Sequence, residues 1–182
     1  MDPAAASAKP TTPIETGRAQ TDPTRTEIGE VIHAEHRRIL RLFGALDDVA
    51  RREDVGQGRS TLRQLWVRLA DMLEHHTDAE EQVCFPALSG HGADVTALME
   101  AAIADHNDIR EAVAAARALE TGSVRWWRTV AAARGECSAH FSREERDLLT
   151  ALCGFLPQEA SRRAARQWES SPRGVVSGAG WL

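Results

Sequence analysis

HHTDAEEQVCFPAL, from His75 to Leu88, and HFSREERDLLTAL, from His140 to Leu152, decide how this chain is read. Aligned on His76 and His140, both place Glu-Glu at the fourth and fifth positions after the histidine and Ala-Leu at the eleventh and twelfth. A helix advances about 100° per residue, so a glutamate four positions after a histidine lies on nearly the same face, one turn along. Both side chains can then reach one centre. Upstream, EHRRI (Glu35 to Ile39) is echoed by DHNDI (Asp105 to Ile109), so half of the chain recurs in the other half.

Around these phrases the hydrophobic period is helical. Segments Thr26 to Arg52, Ser60 to Leu88, Asp94 to Glu120 and Ser123 to Leu152 are separated by GQGR, SGHGA and TG, all turn material. Thr24 and Glu27 are spaced as a capping box for the first. Pro157 opens a shorter fifth helix carrying Arg162, Arg163 and Arg166. Strand signals are nearly absent. Short links force sequential helices to be antiparallel neighbours, which predicts an all-α, up-down-up-down four-helix bundle. The expected organisation is a disordered, proline-rich tail over 1–25, a bundle over 26–155, and a C-terminal helix with a flexible tail over 156–182.

The predicted inward stripes carry the chemistry. The first helix gives Ile32, His36, Ile39, Phe43, Leu46 and Ala50; the second gives Leu62, Leu65, Leu69, Leu73, His76, Glu80, Val83 and Ala87. The third gives Val95, Leu98, Ala102, His106, Ile109, Val113 and Ala116, and the fourth runs from Trp126 through Cys137, His140, Glu144 and Leu148 to Phe155. Each stripe contains one histidine, and two add a glutamate. Ionisable groups in a core are costly unless paired or bound to metal. A lone inward histidine is more often a hydrogen-bonded core residue than a ligand, so a bundle with buried histidines and no metal is the plain alternative. The conjunction of four stripes and two His-x-x-x-Glu pairs favours metal, and the repeat favours a two-metal site. His75, about 100° round from His76, and His91, in a glycine-flanked loop, are expected to be exposed.

Composition narrows the function. The 182 residues are 42% hydrophobic with a formal net charge of -5, and Lys9 is the only lysine, a poor profile for binding nucleic acid. Cys84, Cys137 and Cys153 form no C-x-x-C pair, and no apolar run approaches the ~20 residues needed to cross a bilayer. The expectation is a cytoplasmic protein without membrane contact. With no Tyr in the chain, a tyrosyl radical is excluded.

The motifs EH(x)2I, H(x)3EE(x)4P, DH(x)2I and H(x)3EE, in this order over about Glu30 to Leu152, resemble the hemerythrin-like family, the HHE cation-binding domains. The resemblance implies a four-helix bundle holding two non-haem iron ions and a bridging oxygen species. It implies His36, His76, His106 and His140 as terminal ligands, with Glu80 and Glu144 as bridges. Imidazole and carboxylate together also suit manganese or zinc. The oxygen carriers of the family have a second histidine one turn from the third-helix ligand, where this chain has Ala102 and Arg110. His33, Glu145 and Glu81 are candidates to fill that vacancy, each with a plain alternative as a surface or outer residue.

Six protein ligands would leave open positions on two metals, and a lining of Ile32, Leu73, Ile109 and Leu148 would admit a small diatomic or peroxide ligand (O2, NO or H2O2). The expected function is binding or decomposition of small oxidants in oxidative or nitrosative stress defence, with catalase-like turnover rather than reversible carriage. The alternatives are a redox or oxygen sensor that docks a protein partner through its tails, and oxygen or iron binding without turnover.

Overall fold

The computed structural model describes residues 27–52 and 55–171. The predicted tail over 1–25, the capping box on Thr24 and the chain end beyond Ser171 lie outside the described residues. The helices are α1 (Glu27–Arg51), α2 (Val55–Ala79), α3 (Phe85–Leu88), α4 (Ala93–Arg117), α5 (Val124–Arg143), α6 (Leu149–Phe155) and α7 (Gln158–Ser170). Two π-turns, Glu80–Cys84 and Glu144–Leu148, join α2 to α3 and α5 to α6 without a break. Each joined pair is therefore one rod, and α1, α2–α3, α4 and α5–α6 form the expected four-helix bundle. α1 packs on α2, α4 on α5, α2 on α4 and α1 on α5, while α7 lies against α1 and the first π-turn. No described helix is long and apolar enough to cross a membrane.

Local chemistry sets the boundaries. Ser123 caps α5, its Oγ accepting from the Trp126 N–H at 3.1 Å. Gly92 (φ 107°) before α4 and Gly122 (φ 83°) before α5 take backbone conformations that side chains with a Cβ avoid. At Gly56 to Arg59 the expectation of a link is wrong: α2 already begins at Val55. Glycine costs about 1 kcal/mol in a helix interior, and packing of α2 along α1 outweighs it.

The stripes form two apolar clusters with the histidines between them. One contains Ile39, Phe43, Leu69, Leu73, Ile109, Val130 and Cys137; the other contains Ile28, Ile32, Val83, Leu88, Ala102, Leu148 and Trp168. Two predicted core positions are not in the core: Ala50 is exposed at the end of α1, and Phe155 is 45% exposed at the end of α6. In both the apolar period runs on into the last turn of the helix, where the side chain is exposed. Trp66 and Phe141, which the stripes omitted, are buried.

Candidate metal centre

Each π-turn begins on an inward glutamate. The N–H of Phe85 bonds the carbonyl of Glu80, and that of Leu149 bonds the carbonyl of Glu144, five residues back in both cases. A wider turn advances each residue by less than the α-helical angle, so the second glutamate of each Glu-Glu pair stays near the face of the first. Pro86, which lacks an N–H, follows one π-turn but has no counterpart in the other, where Thr150 stands. The repeat of the turn therefore has a cause other than proline.

All six residues of the predicted ligand set converge. His36, His76, His106, His140, Glu80 and Glu144 are at most 3% exposed. Glu80 Oε1 lies 3.0 Å from His76 Nε2, and its Oε2 lies 3.0 Å from His106 Nε2 and 3.8 Å from His140 Nε2. Glu144 Oε2 lies 3.0 Å from His36 Nε2 and 3.8 Å from His140 Nε2. The histidines pair along the repeat, with ring centroids 4.9 Å apart for His36 and His76 and 4.8 Å for His106 and His140. The carboxylates cross between the pairs: each half takes its histidines from one pair of helices and meets glutamates from both.

This arrangement fits a cation. The buried atoms His36 Nε2, His76 Nε2, His140 Nε2, Glu80 Oε1 and both Glu144 carboxylate oxygens make no aligned hydrogen bond. An unsatisfied buried polar atom costs about 1–3 kcal/mol, and a metal among these donors would satisfy them together. Among the described residues three groupings bring ligand atoms within 4.8 Å of one another: His36, His76, Glu80 and Glu144; Glu80, His106 and His140; and, towards the surface, His33, His36 and Glu145. Glu80 belongs to both of the fully buried ones.

Without metal the charges settle unevenly. Burial disfavours the charged form of every histidine, but contacts with Glu144 and Glu145 raise His36 above its ordinary value, and those with Glu80 and Glu35 raise His76. Burial likewise opposes, and Glu80 and Glu81 outweigh it, at His106. For His140 burial prevails: only partly opposed by Glu80 and reinforced by the charges of His76 and His106, it brings the imidazole down to about 4. Burial would raise Glu80, yet the surrounding histidines hold it well below the usual carboxylate range. Burial together with the charge of Glu80 raises Glu144.

A second ring of carboxylates faces the outer nitrogens. Glu145 Oε1 lies 2.7 Å from His36 Nδ1 and Glu81 Oε1 2.7 Å from His106 Nδ1, related positions in the two halves. Asp105 Oδ2 lies 3.3 Å from His140 Nδ1, and Glu35 Oε2 3.6 Å from His76 Nδ1, again related positions. At His36, His106 and His140 such a partner fixes which ring nitrogen carries the proton and leaves Nε2 free to bind, whereas His76 Nδ1 faces Glu35 beyond hydrogen-bond distance. His33, Glu145 and Glu81, the candidates for an extra ligand, thus stand outside the centre: Glu81 on His106, Glu145 on His36, and His33 Nδ1 on Glu145 Oε1 at 3.1 Å. The roles of Glu35 and Asp105 were missed in the sequence. The signal was there, since an acid precedes the histidine in both EHRRI and DHNDI.

His75 corrects another expectation: it is buried, 5% exposed, with its ring 6.2 Å from that of Trp168. The 100° rotation does carry it off the bundle seam, but α7 covers the face onto which it turns. His91 is exposed, as expected. Aromatic walls flank the centre. Phe141 stacks on His36 at 3.9 Å between centroids, and Phe85 lies parallel to His106 at 5.8 Å. Between α4 and α5 a cavity of about 60 Å³ reaches His140 and Glu144, with Ala102, Asp105 and Arg143 in its lining.

Fold and inward donor set together define a cation-binding four-helix bundle. The family model of the hemerythrin HHE cation binding domain matches residues 27–152, and the chain belongs to that family. No curated protein and no solved structure matches the chain.

Proposed function

We propose that His36, His76, His106, His140, Glu80 and Glu144 hold two non-haem iron ions, and that the centre decomposes hydrogen peroxide or a related small oxidant in stress defence. Bound iron would supply redox equivalents and open coordination positions for a small ligand. The chain's own part is to span the two positions with Glu80 and Glu144, to aim four Nε2 atoms inward, and to restrict entry.

The observation that carries the reading is the cavity at Ala102. Its volume, about 60 Å³, suits a few waters, a diatomic gas or a peroxide, and it ends on His140 and Glu144. It lies where the oxygen carriers have their further histidine. At its mouth Arg143 makes a two-point contact with Asp105, Nη2 to Oδ1 at 2.7 Å and Nε to Oδ2 at 3.1 Å, a polar entrance that favours peroxide over an apolar gas. Disproportionation of two H2O2 to two H2O and O2 balances without an external reductant.

The test is catalytic consumption of H2O2 by the iron-loaded chain, with O2 evolved at half the molar amount of peroxide consumed. Stoichiometric reaction followed by arrest would leave binding without turnover. A sensor is the second reading, favoured because Trp168 of α7, outside the matched residues, lies 5.7 Å from the His76 ring and could report the state of the centre to a partner. Its signature would be redox-dependent protease cleavage in α7 without peroxide turnover.

A further inference from the structure

Each outer carboxylate is itself anchored, and on the same oxygen that faces the histidine. Glu145 Oε1 meets His33 Nδ1 at 3.1 Å, Glu81 Oε1 accepts from Arg110 Nη2 at 2.9 Å, and Asp105 Oδ2 accepts from Arg143 Nε at 3.1 Å. These three anchors stand on the bundle's own helices. At the fourth corner the donor comes from α7: the indole N–H of Trp168 donates to Glu35 Oε2 at 3.0 Å. We propose that Trp168 is the fourth anchor of this frame, and that through Glu35 it positions His76 for metal. The proposal rests on the ligand set put forward above.

Position and chemistry both support an anchoring role over simple coverage. Trp168 is 2% exposed and its ring lies beside those of His75 and His76, so Phe or Leu would seal this face equally well. An indole adds one N–H, and here that N–H is spent on the carboxylate that faces a candidate ligand. Glu35 is also the most distant of the four outer carboxylates, at 3.6 Å from its histidine nitrogen against 2.7, 2.7 and 3.3 Å for the others. It therefore depends most on something else to hold it in place. α7 has a separate structural attachment at its other end, where Ser161 Oγ accepts from the N–H of Ile28 at 3.2 Å and caps α1. The two functions of the helix can be separated by mutation.

Cobalt(II), whose visible absorption reports ligand geometry, is the probe, and release to an excess of chelator is timed for the full chain and three variants. Trp168→Phe keeps the aromatic cover and removes the N–H; Glu35→Gln keeps the volume and removes the charge. Both should release cobalt about tenfold faster and shift the ligand-field bands, as loss of an outer partner does at other metal sites. Ser161→Ala should lower the melting temperature while leaving release rate and spectrum unchanged. Should Trp168→Phe fail to fold, Glu35→Gln carries the test. Variants that release cobalt at the unmodified rate, or a Ser161→Ala that mimics them, would overturn the anchoring role while leaving the ligand set intact. An unmodified chain that takes up no cobalt would overturn the ligand set and the anchor with it.

Discussion

The two halves of the centre are built from the same phrase and closed to different degrees. Around His36 and His76 the packing is close: Phe141 stacks on His36, Trp168 covers His76, and Ile32, one turn before His36, is fully buried, while a groove of about 530 Å³ between α1 and α2 is lined by Glu35 and His75 but by neither of these two histidines. Around His106 and His140 the residue one turn before the histidine is Ala102, and a cavity of about 60 Å³ opens there. An isoleucine in one half and an alanine in the other, at related positions, thus go with a closely packed pair of histidines and with one that a small cavity reaches. The repeat supplies the donors, and departures from it supply the entrance.

The largest expected effect tests whether the halves are joined. Glu80 contacts three histidines from both halves, whereas Glu144 contacts two. Metal analysis of the unmodified chain should give about two ions. Glu80→Ala should leave close to none, and Glu144→Ala should retain at least one. Equal losses would mean that the two carboxylates are equivalent and that the crossing geometry has no weight.

Exchanging the entrance residue comes next. Ala102→Ile should fill the cavity and lower peroxide consumption by more than about tenfold with iron content preserved, because overpacking here competes with a void and not with a packed neighbour. Ile32→Ala should open the closed half at a stability cost of about 2–4 kcal/mol, read from denaturant unfolding of the metal-free chain. Unchanged consumption in Ala102→Ile would show that the small ligand enters elsewhere.

A third comparison sets His140 against the other three histidines in the metal-free protein. For His36, His76 and His106 the folded pKa lies above the unfolded value of about 6.5, so their stabilisation is complete below that pH and fades as pH rises through the folded value. His140, brought down to about 4, acts in the opposite sense: its contribution is present above about 6.5 and is lost as pH falls towards 4. Glu144, raised to about 7, loses stability as pH climbs from about 4.5 to 7 and offsets the gain from His140, so the metal-free chain should change little between about pH 4.5 and 6.5 and weaken on the alkaline side. Metal needs neutral imidazoles, so loading should become tighter as pH rises. The gap in melting temperature between loaded and metal-free protein should widen by several degrees from pH 6.5 to 8.5; a gap that narrows would contradict the assignment.

Sequence and structure agree where periodicity is a sufficient guide. His36, His76, Glu80, His106, His140 and Glu144 each fall in an apolar stripe, and a 3.6-residue period is enough to bring such positions to one axis. The π-turns were not legible, because a helix that widens for one turn keeps nearly the same apolar spacing and changes chiefly its hydrogen bonds. They matter because Glu81 and Glu145 reach the outer nitrogens from them. The burial of His75 escapes the sequence for a different reason: a rotation angle says where a side chain leaves its own helix, not what another helix lays over it. The amphipathic segment after Pro157 was visible, but the face it would cover was not.

The smallest expected effect separates the anchors of the two halves. His33 and Arg143 each hold an outer carboxylate, on Glu145 in the closed half and on Asp105 in the open half. Neither touches the centre directly, so removing either should speed metal release only about two- to fivefold, less than loss of the carboxylate itself would. Arg143 has a second position as well, in the lining of the cavity. Arg143→Gln should therefore raise the peroxide concentration needed for half-maximal consumption, by removing the two-point contact with Asp105 that makes the cavity lining polar. His33→Gln should leave that concentration unchanged, since His33 is not in the lining of the cavity that reaches His140 and Glu144. If both substitutions alter metal release and neither alters the peroxide dependence, the mouth at Arg143 does not control entry, and the contrast between the halves reduces to packing alone.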